Sequence, residues 1–270
     1  MHTDVAIERA AAAINSADAL FIGAGAGMGV DSGLPDFRGD HGFWKAYPPF
    51  HGKRFAEVSN PIWFGKDPEQ AWGFFGHRLN LYRDTLPHSG FDTLRRWTEA
   101  RPHKYFVFTS NVDGHFQKAG FSGDRVLECH GSVHHLQCST PCSKNIWSAS
   151  DVNVAVDEMT IRAKSSLPIC PDCHEVARPN ILMFGDFQWI SQRRKEQEER
   201  YLDWLFGVDR KFLVTIEFGA GTAISTVRHE CEQRRGKLIR VNPRDCQAPA
   251  NAISIQLGAL EAIERIDALL

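Results

Sequence analysis

Apolar residues in the first segment recur at helical spacing. Ile7, Ala10, Ala11 and Ile14 fall on one face, which predicts an amphipathic helix over 4–17. The pattern then changes. Ala19 to Ile22 form a short continuous apolar run, cut off by Gly23, Gly25, Gly27 and Gly29, which reads as a buried strand entering a glycine-rich turn. Similar runs recur at 105–109, 125–128, 212–216, 238–241 and 253–257. Most are rich in β-forming residues and do not alternate, as expected of strands covered on both faces of a parallel sheet. Helical stretches lie between several of them, at 91–100, 223–235 and 257–270. Strands alternating with helices predict an α/β fold on a doubly wound, Rossmann-like parallel sheet.

Two stretches break the rhythm. Residues 40–89 are rich in aromatics and proline with one helical segment near 69–83, and residues 132–177 hold two cysteine pairs and little regular pattern. Both are too long for plain connections within a compact domain. The expected division is a large lobe of 1–39, 90–131 and 178–270, with 40–89 and 132–177 folding together as a smaller lobe. The Glu/Arg run at 193–200 reads as a solvated helix face.

Composition narrows the class. The 270 residues are 43% hydrophobic, too apolar for a disordered chain, and no 18-residue apolar run marks a transmembrane helix. Thirty-one basic residues against 33 acidic ones leave a net charge of −2, so no field of one sign supports binding to nucleic acid. Met1-His2-Thr3-Asp4 lacks the basic start and apolar core of a signal peptide. The expected compartment is the cytoplasm, and neither membrane nor nucleic acid is an expected partner.

Candidate chemistry clusters at strand ends. Glycines at 23–29 let backbone N–H groups approach a phosphate closely, or simply pack helix on strand. The strict dinucleotide fingerprint fails, because Val30 follows where its last glycine belongs and Lys45 lies where an acidic ribose partner is usual. Asp36, Phe37 and Arg38 stand side by side on a proline-rigidified loop, where Arg suits a pyrophosphate and Phe can cover a bound ring. A surface Asp–Arg turn is the plainer reading. Asn111 and Asp113 follow the strand at 105–109, placed to read a polar ligand or to cap the next helix. His130 follows another strand and suits a general base, although most of the twelve histidines are structural. Cys138/Cys142 and Cys170/Cys173 offer four thiolates for a tetrahedral zinc site with no open position, hence a structural one; unligated thiols are the alternative.

Taken in order, these segments resemble the sirtuins of bacterial type, the NAD-dependent protein deacylases. Gly25 to Arg38 looks like the family's first signature, Thr109-Ser-Asn-Val-Asp113 like its second, and His130-Gly131 falls at its catalytic histidine. The cysteine pairs stand at its zinc position. Arg178-Pro179 through Phe184-Gly185-Asp186 looks like its substrate loop, and Gly221-Thr222 and Asn242 sit where later NAD contacts are expected. The resemblance implies that NAD is a consumed co-substrate lying between the lobes, against Gly25, Ala26, Gly27, Asp36, Phe37 and Arg38. Ser110, Asn111 and Asp113 would orient its nicotinamide ribose and carboxamide. The acyl-lysine oxygen would attack C1′ as nicotinamide leaves. His130 would then take the ribose hydroxyl proton so that this oxygen attacks the acyl carbon, and water would complete the reaction, giving free lysine, nicotinamide and O-acyl-ADP-ribose. Asn111 would assist, and the cysteines would hold one structural zinc.

The chain departs from the family pattern at several positions. Gly29 and Ala223 replace serines, Ser110 a glutamine, Asp186 a glutamate, and His115-Phe116 the usual Leu-His. Sirtuins that remove succinyl or malonyl groups carry a Tyr and an Arg three apart. Here Arg78 is kept and Phe75 replaces the Tyr, which implies acetyl removal with weaker activity on acidic acyl groups, unless the pair only packs its helix. Phe75, Arg78, Phe184 and Gly185 are therefore the expected substrate contacts, and acyl-lysine proteins the partners. Two other classes stay open: an ADP-ribosyltransferase or NAD glycohydrolase, and a non-enzymatic nucleotide-sensing module.

Overall fold

The computed structural model describes residues 3–35, 39–101, 104–208 and 212–270. Its strands in chain order are β1 (Ala19–Ala24), β2 (Tyr105–Thr109), β3 (Val126–Glu128), β4 (Gly131–Cys138), β5 (Ile146–Ser148), β6 (Val156–Asp157), β7 (Arg162–Ala163), β8 (Ala177–Ile181), β9 (Leu213–Phe218), β10 (Lys237–Val241) and β11 (Ile253–Ile255). Six of them form a parallel sheet in the order β11-β10-β9-β1-β2-β3. The chain runs outward from β1 to β3, then returns to β1's other side at β9 and runs outward again. The switch point thus lies between β1 and β9, where open sheets of this kind bind ligands beyond the strand ends.

Both faces of this sheet are covered, which is why its strands read as unbroken apolar runs. Leu20 and Ile22 of β1 face the Thr3–Asn15, Gly90–Glu99 and Ala259–Asp267 helices through Ile14, Phe91 and Ile263. Phe21, one residue over, faces Tyr201 and Trp204 of the Gln192–Gly207 helix. That helix contains the charged run at 193–200, yet it buries Gln197, Tyr201, Trp204 and Leu205. Its solvated face is only half of it. The helix expected over 223–235 is shorter, Thr226–Glu232.

A second core gathers Phe43, Tyr47 and Phe50 with Trp72, Phe74, Phe75 and Leu79 of the Pro68–Asp84 helix. Asp67 caps that helix by accepting from the Gln70 N–H at 3.1 Å, with Pro68 at its first position. Val133, Leu136, Val154 and Ile161 complete the cluster from the cysteine-bearing stretch. This stretch is more regular than its sequence suggests. It holds an antiparallel sheet β5-β4-β8 and a β6–β7 hairpin. Pairing of β4 with β8 crosses the boundaries expected near 131 and 177. Leu34, Val112 and Met183, from loops around the parallel sheet's carboxyl edge, and Ile181 at the end of β8 also join the second core. They make one wall of the cleft between the two cores. No helix among the described residues is long and apolar enough to cross a membrane.

Candidate active site

The register of the sheet brings four strand ends level: Ala24 of β1 pairs with Thr109 of β2 and Phe218 of β9, and Phe218 with Val241 of β10. The loops that follow therefore meet. Gly25 N donates to Phe218 O at 2.9 Å, Gly27 N to Gly219 O at 3.1 Å, and the Asn111 side-chain amide to Gly25 O at 3.0 Å. Gly219 has φ +59°, and a Cβ there would lie 2.4 Å from Gly27 backbone atoms, so only glycine permits this contact. Between these loops and the second core lies a cavity of about 540 Å³, a size typical of small-molecule sites.

Gly25, Ala26, Ser110, Asn111, Asp113, His130, Gly221 and Thr222 line this cavity. His130 is half-buried just past β3. Burial lowers its pKa from the ordinary histidine value, opposed by a hydrogen bond with the Ser110 backbone. The imidazole is therefore neutral at pH 7, the form a general base needs. Asp113 is 7% exposed and its carboxylate accepts from the His115 N–H at 2.9 Å. Burial pushes it up to about 6.

Asp113 carries a stability cost with a definite sign. Its folded pKa, about 6, lies above the ordinary aspartate value of 3.8, so the native state favours the proton. That stability is complete below pH 3.8 and is lost as pH rises through 6, by on the order of 3 kcal/mol. An Asp113→Asn variant keeps an acceptor for His115 N–H and removes the buried charge. It should melt several degrees above wild type at pH 8, the difference closing toward pH 4. Equal melting temperatures at pH 8 would contradict this.

The opposite wall is the segment after β8. Ile181, Leu182, Met183 and Phe184 line the cavity. Arg178 and Asp186, with fully buried side chains, form an ion pair that holds this segment. A second Arg178–Asp186 hydrogen bond measures 3.1 Å, and Asp186 also accepts from Met183 N at 3.3 Å and Gln188 N at 3.1 Å. Asp186 therefore makes a two-pronged contact with Arg178. Phe184 N donates to Ser59 O at 3.0 Å, tying the loop to the second core.

Farther in, Arg78 and Tyr82 line the same cavity from one face of the Pro68–Asp84 helix. Arg78, 6% exposed, donates from Nε and Nη2 to the Tyr82 hydroxyl at 3.0 and 2.9 Å. Phe75 does not line the cavity. It is fully buried against Phe64 and Phe74, so the structure gives it the packing role.

The four cysteines converge at the far end of β4. Their Sγ atoms all lie within 4.8 Å of one another, with Cys138–Cys173 and Cys142–Cys170 each at 3.6 Å. Zinc with four thiolates at about 2.3 Å has sulfur–sulfur edges of roughly 3.8 Å, and a disulfide needs about 2.05 Å. The set fits a tetrahedral ion. Donation to the Cys173 sulfur holds the proton on Cys142 and pushes that thiol up to about 12; a divalent cation would offset the crowding of thiolates.

The sequence model of the Sir2 family matches residues 25–201, from the glycine-rich turn to the helix packed behind β3. The chain belongs to the Sir2 family. An NAD-dependent protein deacylase of Aeropyrum pernix is 28% identical over 246 residues, 90% of this chain and 88% of that protein. One of Thermococcus kodakarensis is 29% identical over 223 residues, 81% of this chain and 77% of that one. A solved Sir2 homolog–NAD complex is 25% identical, with TM-score 0.71 over 97% of this chain and 93% of that one. The sirtuin resemblance and the expected α/β fold are borne out.

Against the Sir2 reading, the expected site residues divide. Gly25, Ala26, Ser110, Asn111, Asp113, His130, Gly221, Thr222, Arg78 and Phe184 share one cavity. Gly27 stands behind it, bonded to Gly219. Gly185 lies beyond the lining, in the substrate loop. Asn242 is fully buried. Its amide donates to Ala220 O at 2.9 Å, and its oxygen accepts from Arg244 N and Asp245 N, so it shapes a loop instead of facing the cavity. Asp36, Phe37 and Arg38 lie outside the described residues. Tyr82 and Asp245 were missed, although both line the cavity. Tyr82's spacing four after Arg78 was the available signal.

Proposed function

We propose that this chain is an NAD-dependent protein lysine deacylase whose base is His130. The observation that carries the reading is that one cavity holds the glycine-rich turn, the Asn111–Asp113 strand end, a neutral histidine and the Arg178-anchored loop. The NAD-dependent deacylases among its relatives support it. The cavity also fits a dinucleotide on its own terms. Gly221 lines it, and a Cβ added there would meet nothing within 4 Å, so the cavity has open space beside this backbone where a phosphate could approach.

In this reading Gly25, Ala26, Gly221 and Thr222 hold the phosphates of NAD. Ser110, Asn111 and Asp113 hold the nicotinamide riboside end. NAD supplies a C1′ that accepts the acyl oxygen as nicotinamide departs. Asn111 is fixed by its bond to Gly25 O, so its orientation is set before substrate arrives. Neutral His130 accepts the ribose hydroxyl proton at its ring nitrogen. Leu182 to Phe184 flank an extended acyl-lysine peptide; their N–H groups already donate to His130 O, Asp186 and Ser59 O, so pairing with the peptide falls to their carbonyls. Cys138, Cys142, Cys170 and Cys173 hold one structural zinc. The division into a large lobe of 1–39, 90–131 and 178–270 and a small lobe of 40–89 and 132–177 belongs to the same proposal. Identifying the ribosyl product tests it: O-acyl-ADP-ribose equal to the lysine freed supports deacylation, whereas free ADP-ribose alone contradicts it.

Tyr82 alters the expectation for acidic acyl groups. The phenol absent at Phe75 is present about two turns later, at Tyr82, on the Arg78 guanidinium. Burial raises the Tyr82 pKa, so its hydroxyl keeps a proton to donate. An acyl carboxylate thus has two partners. Arg78→Met should lower turnover of succinyl-lysine relative to acetyl-lysine by about tenfold, as the loss of ~1.4 kcal/mol of binding would. Tyr82→Phe should shift the ratio the same way. An unchanged ratio in Arg78→Met would remove the acidic pocket.

A further inference from the structure

Two loops close one end of the cavity, 219–225 after β9 and 242–252 after β10, and both contribute lining residues: Gly219 to Ile224 from the first and Asp245 from the second. Asn242 bridges them through Ala220 O, and a second side chain reaches both from a neighbouring helix. Arg228, in the Thr226–Glu232 helix, is 9% exposed. Its Nη1 donates to Ala220 O at 3.2 Å and to Asp245 O at 2.8 Å, and its Nη2 donates to Gln247 O at 2.9 Å. Among the described residues its hydrogen bonds all go to backbone carbonyls of these two loops. The guanidinium itself is not part of the cavity lining.

We infer that Arg228 is a positioning residue for NAD: it sets the spacing of the two loops and so the affinity of the site, without touching the ligand. The inference rests on the deacylase reading for its substrate, and on the hydrogen bonds for its geometry. Two of the carbonyls it holds, those of Ala220 and Asp245, belong to residues that line the cavity. Ala220 O also accepts from Asn242, and Gln247 O from Arg240 at 2.5 Å. Asn242 in turn fixes the start of the second loop through Asp245 N at 2.9 Å. Arg240 is anchored separately, on buried Glu217 at 2.7 Å. Arg228 is the element of this arrangement that reaches both loops from a helix. A planar, always-charged fork with five donors suits three carbonyls at once, whereas a lysine offers one rotating point.

The loops are fully preorganised while this fork is in place beside Asn242 and Arg240. Removing the fork leaves the Asp245 carbonyl to find water, while Ala220 O and Gln247 O keep single bonds from Asn242 and Arg240, and NAD must then complete the ordering of the loops as it binds. The cost falls on NAD affinity. The acyl-lysine wall, on the far side of the cavity and held by Arg178–Asp186, is untouched.

Steady-state kinetics of Arg228→Ala and Arg228→Lys, with acetyl-lysine peptide, test the inference, together with calorimetric titration of each protein with ADP-ribose. The expected result for Arg228→Ala is a rise of about tenfold in KM for NAD and in Kd for ADP-ribose, matching ~1.4 kcal/mol. KM for peptide and kcat should stay within about twofold of wild type by the same scale. Arg228→Lys, which keeps the charge and one donor point, should show a smaller rise in the same direction. It carries the test if the alanine variant does not fold. Wild-type KM and Kd in either folded variant, or a fall in kcat at unchanged KM for NAD, would overturn the positioning role. Failure of the wild type to consume NAD with peptide would instead strike the deacylase reading, and the ADP-ribose titration would still decide the brace.

Discussion

His130→Ala is expected to lower kcat/KM for an acetyl-lysine peptide by about 10²–10⁴-fold, the range that a positioned general base supplies. The expectation follows from place and protonation together. The residue stands on the cavity at the end of β3, and burial holds it neutral at pH 7. It is not on the glycine-rich turn, so ADP-ribose affinity should change little. A base with a pKa below the ordinary histidine value also fixes the pH profile. Wild-type activity should be level above neutrality and fall on the acid side. There His130 is protonated, and Asp113, at about 6, loses its charge as well. Steady-state kinetics from pH 5 to 9 with a parallel ADP-ribose titration would check both parts. A variant within tenfold of wild type would mean that another group removes the proton.

Loss of the metal from the four-cysteine cluster should be almost as damaging. Structural zinc binds cysteine-rich peptides with an apparent ~10–16 kcal/mol, comparable with the whole stability of a domain. Here the strands carry the effect to the active site. Cys138 ends β4, whose first residue, Gly131, adjoins His130. β4 pairs with β8, which leads directly into the Leu182–Phe184 wall. Cys170, fully buried, is the informative position. A Cys170→Ser variant should purify with little zinc, melt well below wild type and lose deacylation, whereas wild type holds one zinc per chain. Metal analysis beside a melting curve checks this. A zinc-free wild type with full activity and an unchanged melting temperature would contradict it.

How far the sequence discloses these features depends on what each residue touches. The parallel sheet was legible because strands covered on both faces must be apolar throughout, as β1, β2 and β9 are. The β5-β4-β8 sheet was not. The β4–β8 register shifts between Ser132 and Leu136, and β8 buries Arg178, Pro179 and Asn180, so neither strand shows a clean period. The cysteine cluster could be read from spacing alone, since ligand chemistry demands it. Phe75 and Tyr82 show the limit of positional transfer. A helix turns 100° per residue, so the phenol moved from three before Arg78 to four after it stays on the same face. Asn242 shows the converse: a residue at the expected position uses its amide on its own loop. Its function there depends on Ala220 and Asp245, which no local pattern reveals.

The central claim is that this cavity couples NAD cleavage to an acyl-lysine. The most direct test is nicotinamide release from NAD by the wild-type protein, with and without an acetyl-lysine peptide. The account predicts release that depends on the peptide and matches the lysine freed. Release at the same rate without peptide would contradict it and make the protein an NAD glycohydrolase. No release with NAD still bound would contradict it as well and leave a binding module.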